Sequence, residues 1–342
     1  MDIYRGFEKI LTGKNFYEIP KISTRICGLC HASQSIVSCK SIESIFGIKP
    51  SRQTILLRKL LLTGELIKSH SIFLFFQALP DMINELNLSK VPINSNNLIS
   101  FNTEISTKFF ELIKIGTELD KLFGGRSVHL ISSIPGGIIY IPSQKSILLA
   151  RKYLEKGLSD VEWLIHTFVK LFADKSPPSL YDLKTYNLMS LHKQEKFERY
   201  EGTIRIKSND LKNVDFLLSD YQSFFDKDPE LRGINFKAKE KTLVGPYSRF
   251  ANTNYKEMEL FKSLIAKFNN SWYENLLFWN FIRILEIYLE ITNAIEIIEN
   301  PILDVKENIP NLEKIVRNDG IGILEAPRGT LIHHYHINNE KK

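Results

Sequence analysis

Apolar residues recur along much of this chain at three- and four-residue steps, the spacing that lays one face of an α-helix against a core. Ser33 to Phe46 (SQSIVSCKSIESIF) places Ile36, Cys39, Ile42 and Phe46 at those steps. Arg52 to Leu79 is longer and apolar nearly all round, which predicts a rod buried at the centre of the molecule. Ser143 to Leu171 and Tyr255 to Ile298 read as two more long helical segments. The second carries WYENLLFWNFIRILEIYLEITNAIEIIE, with glutamates spaced around an apolar body. One stretch changes period. From Glu201 to Gly245, GTIRIKS alternates, KDPELRG carries turn residues and FKAKEKTLVGP alternates again, which predicts a small β-rich insert. No repeat and no low-complexity linker divides the chain. The expectation is one mainly α domain over residues 1–342, a large multi-helix body with a β-rich insert near 201–245.

Composition narrows the class. The chain has 342 residues, 43% of them hydrophobic, enough to bury a large core. Its net charge is +6, but basic and acidic residues interleave, as in KAKEK and HKQEKFERYE. That is a solvated surface rather than a nucleic-acid footprint. The most apolar stretch, SIFLFFQALPDMI, is too short to span a bilayer and is interrupted by Gln77 and Pro80. MDIYRGFEK does not have the pattern of a secretory signal. Three cysteines do not make a secreted disulfide framework. These features together predict a cytoplasmic protein with no nucleic-acid partner and no membrane span.

Candidate chemistry starts at RICGLCHASQS, where Cys27 and Cys30 sit three apart. A Cys-x-x-Cys pair serves redox exchange, zinc or another metal. The weak strand pattern ahead, NFYEIPKIST, is a poor βαβ context for redox work. A structural zinc needs four ligands, and the other candidates are Cys39 and the distant His333, His334 and His336. An iron–sulfur cluster takes four cysteines. The pair therefore closes no ordinary site by spacing alone, and two buried inert thiols remain an open reading. Gly and Pro mark three further tight places: GGRSVHLISSIPGG around His129, LVGPYSRFAN with Arg249 and Asn252, and EAPRGTLIHHYH with Arg328.

Together these segments resemble the large subunits of nickel–iron hydrogenases. RICGLC is similar to the family's R-x-C-G-x-C-x-x-x-H. YRGFEK resembles its R-G-F-E, and SHSIFLFFQALPDM its S-H-x-x-x-F-F-x-x-x-x-P-D helix. GGRSVHLISSIPGG resembles G-G-x-x-x-H-P-x-x-x-x-P-G-G, VGPYSRFAN resembles V-G-P-x-A-R-x-N, and EAPRGTLIHHY is similar to E-A-P-R-G-x-L-x-H-x-Y nearly letter for letter. The six segments run in the family's order from end to end, and the set looks most like the cytoplasmic archaeal-type branch of deazaflavin-reducing enzymes and their relatives. Gln34 stands where the motif has His, and Leu130 where the loop has Pro. The family's opening R-x-E-G-H strand and closing D-P-C-x-x-C-x-x-H motif have no counterpart, so the expectation is a large-subunit domain incomplete at both ends.

The resemblance implies a site. Cys27 would be a terminal nickel ligand and Cys30 a bridging one, in a nickel–iron centre with cyanide and carbon monoxide on iron; soft thiolates suit nickel. Gly28 would leave room for backbone beside the metals. Arg328 would hang over the open nickel position, with Pro327 packing on the iron's diatomic ligands. Asp81 would orient Arg328, and Glu8 would be a magnesium ligand, hard oxygen for a hard cation. The implied reaction is reversible heterolytic cleavage of H2. Too few cysteines are present for a cluster wire, so an iron–sulfur small subunit is implied, together with a separate polypeptide bearing the C-terminal cysteines and a deazaflavin- or disulfide-reductase module. Two other readings stay open: a degenerate, non-catalytic paralogue acting in binding or assembly, and a zinc-binding structural module. Retained Cys27, Cys30, Asp81 and Arg328 favour the enzyme; Gln34 favours the paralogue.

Overall fold

A proline breaks the expected central rod. Pro80 has no N–H to give the carbonyl four residues back, and the chain answers with a wider turn. Helix α1 spans His31–Phe46 and α2 spans Arg52–Phe73; a π-helical turn covers Leu74–Ala78, and α3 continues over Leu79–Glu85. The Leu79 N–H reaches the Leu74 carbonyl, five residues back. The computed structural model describes residues 6–179, 186–208, 212–228, 233–236, 242–255, 258–273, 275–304 and 309–338. Helix α2 starts at Ser51, whose hydroxyl accepts from the Thr54 N–H at 3.1 Å. It is central, as its pattern predicts, but it buries Arg58, Glu65, Lys68 and His70 as well as leucines.

Helix α4, Thr103–Gly124, lies outside the expected set and packs along α2. Its stripe is Ile105, Phe109, Leu112, Ile115, Leu119 and Phe123, all buried. Helix α5, Gln144–Phe172, matches the expected Ser143–Leu171 segment to within a residue and opens on a Ser143 cap. The long 255–298 segment is not one helix. Short helices Glu259–Ile265 and Asn270–Tyr273 precede a long one over Phe278–Ile298. The breaks fall in FNNSWYEN, where Asn side chains take backbone N–H groups that a helix would use: Asn269 from Ser271 at 3.1 Å and Asn275 from Leu277 at 3.0 Å.

The β-rich region begins earlier than expected. Strand β1 is Asn187–His192, β2 Thr203–Lys207, β3 Asn213–Phe216 and β4 Thr242–Val244. They form one sheet in the order β3-β2-β1-β4, antiparallel except for the parallel β1–β4 pair. Residues 229–232 of the expected KDPELRG turn lie outside the described residues. Between β4 and the long helix, α6 covers Pro246–Asn252, and the long helix Phe278–Ile298 is α7. Near the end of the chain, β5 (Asp319–Ala326) and β6 (Gly329–His336) form a hairpin whose tip is Pro327–Arg328. No helix among the described residues is long and apolar enough to cross a membrane.

Candidate functional site

The hairpin lies against α1 so closely that side chains would not fit. A Cβ on Gly320 or Gly322 would run into the carbonyls of Ser41 and Val37. The Ser41 hydroxyl instead donates to the carbonyls of Gly320 (2.7 Å) and His333 (3.0 Å). The two elements therefore run antiparallel, with Ser41 beside Gly320 and Val37 beside Gly322. Eleven helical residues from Ser41 back to Cys30 and five strand residues from Gly320 on to Glu325 each cover roughly 16 Å. This register carries the N-terminal end of α1 toward the Pro327–Arg328 tip.

At that end, Cys27 is extended and Cys30 is the residue before the first turn of α1. Their Cα atoms are 5.4 Å apart, the two form a disulfide, and the Cys30 N–H donates to Cys27 Sγ at 3.2 Å. Both cysteines are half-buried, and nothing among the described residues lies within 4 Å of a Cβ built on Gly28. Cys39 is different: it is fully buried in α1, and burial pushes its thiol up to about 12. Among the described residues no group of three His, Cys, Asp or Glu side chains is arranged to hold a metal ion.

Buried polar contacts fix the floor of this corner. The Glu65 carboxylate accepts the Ser33 N–H at 3.0 Å and contacts the Ser33 hydroxyl. Burial raises the pKa of Glu65. His31 faces Lys68 at 3.0 Å and Asp120 at 3.6 Å, and Lys68 also contacts Asp120 and donates to the Ser127 carbonyl at 3.1 Å. Burial first, then the Lys68 charge, lowers His31 to about 3. His129 Nδ1 lies 2.9 Å from the Thr24 carbonyl, tying the GGRSVHLISS loop to the turn before Cys27. Gln34, in the motif's His position, is 2.9 Å from His333 Nε2 and so ties α1 to β6.

The Arg328 tip is held from behind by one fully buried arginine. Arg249 of α6 donates to both Glu286 oxygens, at 2.7 and 2.6 Å, and to Glu325 at 2.9 Å. It also donates to the Ala326 and Pro327 carbonyls, at 3.1 and 3.0 Å. His70 Nε2 of α2 closes on Glu286 at 2.9 Å. Glu325 takes the Leu191 N–H at 2.9 Å and the Thr330 hydroxyl at 2.6 Å. Burial alone would raise Glu286, but Arg249 and His70 hold it at about 2. Gly245 sits at φ +108, where a Cβ would come within 2.9 Å of the Arg328 carbonyl; a glycine is needed there on both counts. Three of the sequence segments, around His70, Arg249 and Glu325, thus converge on one network.

Of the expected site residues, the structure pairs Cys27 with Cys30 and anchors Pro327 and the backbone of Arg328. Pro327 is buried, and the Arg328 side chain is exposed, its guanidinium carbon 5.8 Å from the Phe73 ring centre. Asp81 is exposed on α3, and among the described residues no ion pair joins it to Arg328. Glu8 is exposed on the short helix Gly6–Leu11. Glu286 is missed by the sequence reading; its one signal is a glutamate in an otherwise apolar helical stripe.

Against this geometry, residues 5–177 match the family model of nickel-dependent hydrogenases. An F420-non-reducing hydrogenase subunit of Methanothermobacter thermautotrophicus is 27% identical over 97% of this chain and 73% of its own length. The beta subunit of the NAD-reducing hydrogenase HoxS of Cupriavidus necator is 26% identical over 97% of this chain and 74% of its own. In fold, the chain is similar to a crystal structure of an NAD+-reducing [NiFe]-hydrogenase in the H2-reduced state, with a TM-score of 0.85 at 21% identity over 99% of this chain and 78% of that one. A [NiFeSe]-hydrogenase of Dm. baculatum gives a TM-score of 0.72 at 19% identity over 99% of this chain and 80% of that one.

Proposed function

The chain belongs to the nickel-dependent hydrogenase family, and from that premise we propose that it works as a hydrogenase large subunit in reversible heterolytic cleavage of H2. The paired, half-buried sulfurs of Cys27 and Cys30 carry the proposal. Two soft donors at one point suit nickel, and the third cysteine of the chain is sequestered in α1. The proposed centre is nickel–iron with cyanide and carbon monoxide on iron, its other two thiolates coming from a segment outside residues 1–342. When bound, that centre supplies the Lewis acidity and the redox capacity for splitting H2.

The chain's own residues then have defined tasks. Once a thiol reductant supplies the two electrons that open their disulfide, Cys27 and Cys30 would hold the metal as thiolates, favoured by the charge of Arg25. Arg328, on a tip that Arg249 fixes from behind, presents a guanidinium where negative charge develops. Pro327 packs against the iron's small ligands, and Asp81 orients Arg328 once the partners are in place. Glu8 contributes an oxygen to a magnesium ion. Electrons pass to an iron–sulfur small subunit, and from there to a deazaflavin- or disulfide-reductase module in the cytoplasm. The proposed domain is a single large-subunit-like unit over 1–342, with the 201–245 insert as a β-rich excursion.

The test is production of residues 1–342 together with an iron–sulfur partner, with a segment bearing the second cysteine pair, and with the nickel-insertion machinery. Stoichiometric nickel and H2 uptake are expected, both lost in Cys30→Ser. One observation favours the non-catalytic reading: Gln34, in the motif's His position, is taken up by His333. A complex that assembles without nickel would establish that reading. Stoichiometric zinc lost in Cys27→Ser would establish the zinc module.

A further inference from the structure

A cleft of about 250 Å³ lies between the N-terminal half of α2, the Phe197–Tyr200 stretch and the last turns of α7. Neither the Cys27–Cys30 pair nor the Arg328 tip lines it. Leu56, Phe197 and Ile297 give it apolar walls, and Thr63, Arg199 and Glu290, all buried, give it a polar floor. Arg199 is pinned there by backbone. Its Nε donates to the Glu325 carbonyl and its Nη1 to the Leu62 carbonyl, each at 3.0 Å. Nη1 also lies 3.3 Å from Glu290 Oε1, longer than the about 2.7–2.9 Å of a close charge-assisted bond. The remaining nitrogen, Nη2, has no hydrogen-bond partner among the described residues, on a side chain whose residue is only 3% exposed. A planar guanidinium held at Nε and Nη1 cannot turn Nη2 toward an acceptor elsewhere. A buried donor left in that state is costly.

What the floor lacks is an acceptor, not a charge. Arg199 pairs with Glu290, and its charge also acts on the buried Glu65 carboxylate. Lys59 is closed on Glu198 at 2.6 Å. An anion entering the cleft would meet Glu198, Glu290 and Glu296, and a cation would meet Lys59 and Arg199. A neutral group avoids both. Glu290 Oε2 is taken by the Thr63 hydroxyl at 2.9 Å, which leaves Oε1 as an acceptor beside the guanidinium. A donor and an acceptor so placed match one edge of a primary carboxamide, whose C=O and one N–H point the same way. A trans peptide amide points them apart. We infer that this cleft binds a small neutral carboxamide, its C=O on Arg199 Nη2, its N–H on Glu290 Oε1 and its apolar body between Leu56, Phe197 and Ile297. The inference stands or falls apart from the nickel–iron proposal.

The probe is 4-fluorobenzamide, added to the chain of residues 1–342 and followed by the width of its fluorine resonance. Saturable broadening is expected. 4-Fluorobenzoate, 4-fluorobenzamidine and N-methyl-4-fluorobenzamide keep the ring and change the head group to an anion, a cation and a trans secondary amide. Each should bind at least about tenfold more weakly. Leu56→Trp, at a half-buried wall position, should fill the cleft and abolish the broadening. Asn293→Trp closes the cleft from the exposed side of α7 and serves if Leu56→Trp does not fold. Glu290→Gln trades a charged acceptor for a neutral one, so it should weaken the benzamide about fivefold and bring the benzoate closer to it. Urea midpoints near that of the parent report that a variant is folded. No saturable broadening, broadening that survives the tryptophan variants, or binding of any other head group as tight as that of the benzamide would overturn the site.

Discussion

The Pro327–Arg328 corner and the Cys27–Cys30 corner are brought toward each other by the α1–hairpin register, yet they are held in opposite ways. Around the first, one buried arginine makes five hydrogen bonds to two carboxylates and two carbonyls. The tip has one backbone position before any partner arrives. Around the second, the sulfurs are half-buried, and the hydrogen bond that Cys27 Sγ accepts comes from Cys30, within the pair itself. The floor beneath them, at Ser33, His31 and Thr24, is what ties this corner down. The contrast matches the two jobs proposed. A group that acts by electrostatics gains from being fixed in advance. Ligands to a metal inserted later need access, and their final geometry comes with the metal.

Removing a residue from each corner should therefore do different things. The largest effect is expected at the thiols: Cys27→Ser or Cys30→Ser in the assembled complex removes nickel and H2 uptake entirely, while the urea midpoint of the chain alone barely moves. A large drop in that midpoint would show the pair to be structural. At the other corner, Arg249→Met should cost about 3–5 kcal/mol of unfolding free energy, because it strands two buried carboxylates. Equilibrium unfolding in urea measures it, and a loss below about 1 kcal/mol would mean that the network does not hold the tip.

Which corner can be read from the sequence follows from the same physics. Cys27, Cys30 and the EAPRG tip are local strings, and a local string survives as a motif. Arg249 lies in the VGPYSRFAN string, but its partner Glu286, 37 residues on, is marked only by a charge on an apolar helical face. Nothing in either neighbourhood names the other. The π turn at Leu74–Ala78 follows from Pro80, but an apolar run does not reveal whether its helix ends or widens there. Thr103–Gly124, by contrast, carries a regular three-and-four stripe, as open to reading as Ser143–Leu171. The hairpin is hidden because DGIGILEA and GTLIHHYH contain glycines and histidines in place of a clean alternation. Those glycines serve the close approach to α1 rather than strand propensity.

Buried imidazoles give both corners a contribution that weakens in acid. His31, His70 and His333 are buried and lowered to about 3, 4 and 4, in each case first by burial. Their ordinary value is about 6.5. Between that value and the folded one, the unfolded chain binds protons that the folded chain does not, so each imidazole makes stability fall as pH falls, while Asp120, raised to about 7 by burial, and Glu65 and Glu325, also raised by burial, act in the opposite sense. The stabilisation is complete above about pH 6.5 and drains away between there and about pH 4, by up to ~1.4 kcal/mol per pH unit for each imidazole. Urea midpoints between pH 7.5 and 4.5 test the slope, and His31→Gln should flatten it. A slope that His31→Gln leaves unchanged would mean that the His31 imidazole is solvated.

The smallest effect bears on the side-chain bond that ties α1, close to the thiols, to the hairpin. The Gln34 amide oxygen lies 2.9 Å from His333 Nε2, and His333 Nδ1 lies 2.7 Å from the Tyr335 hydroxyl, which is 3.1 Å from the Ser38 hydroxyl. The chain of contacts leaves α1 at Gln34 and returns to it at Ser38. If this bond couples the two corners, Gln34→Ala and His333→Phe should each destabilise, and a double-mutant cycle should leave a coupling of about 1 kcal/mol, the usual worth of a neutral buried hydrogen bond. Gln34→Ala alone leaves the imidazole N–H buried without an acceptor, so the single change should cost more than the coupling itself. A cycle that closes to zero would show that α1 and the hairpin are aligned by the Gly320 and Gly322 contacts alone, with Gln34 a bystander in the position where the motif has histidine.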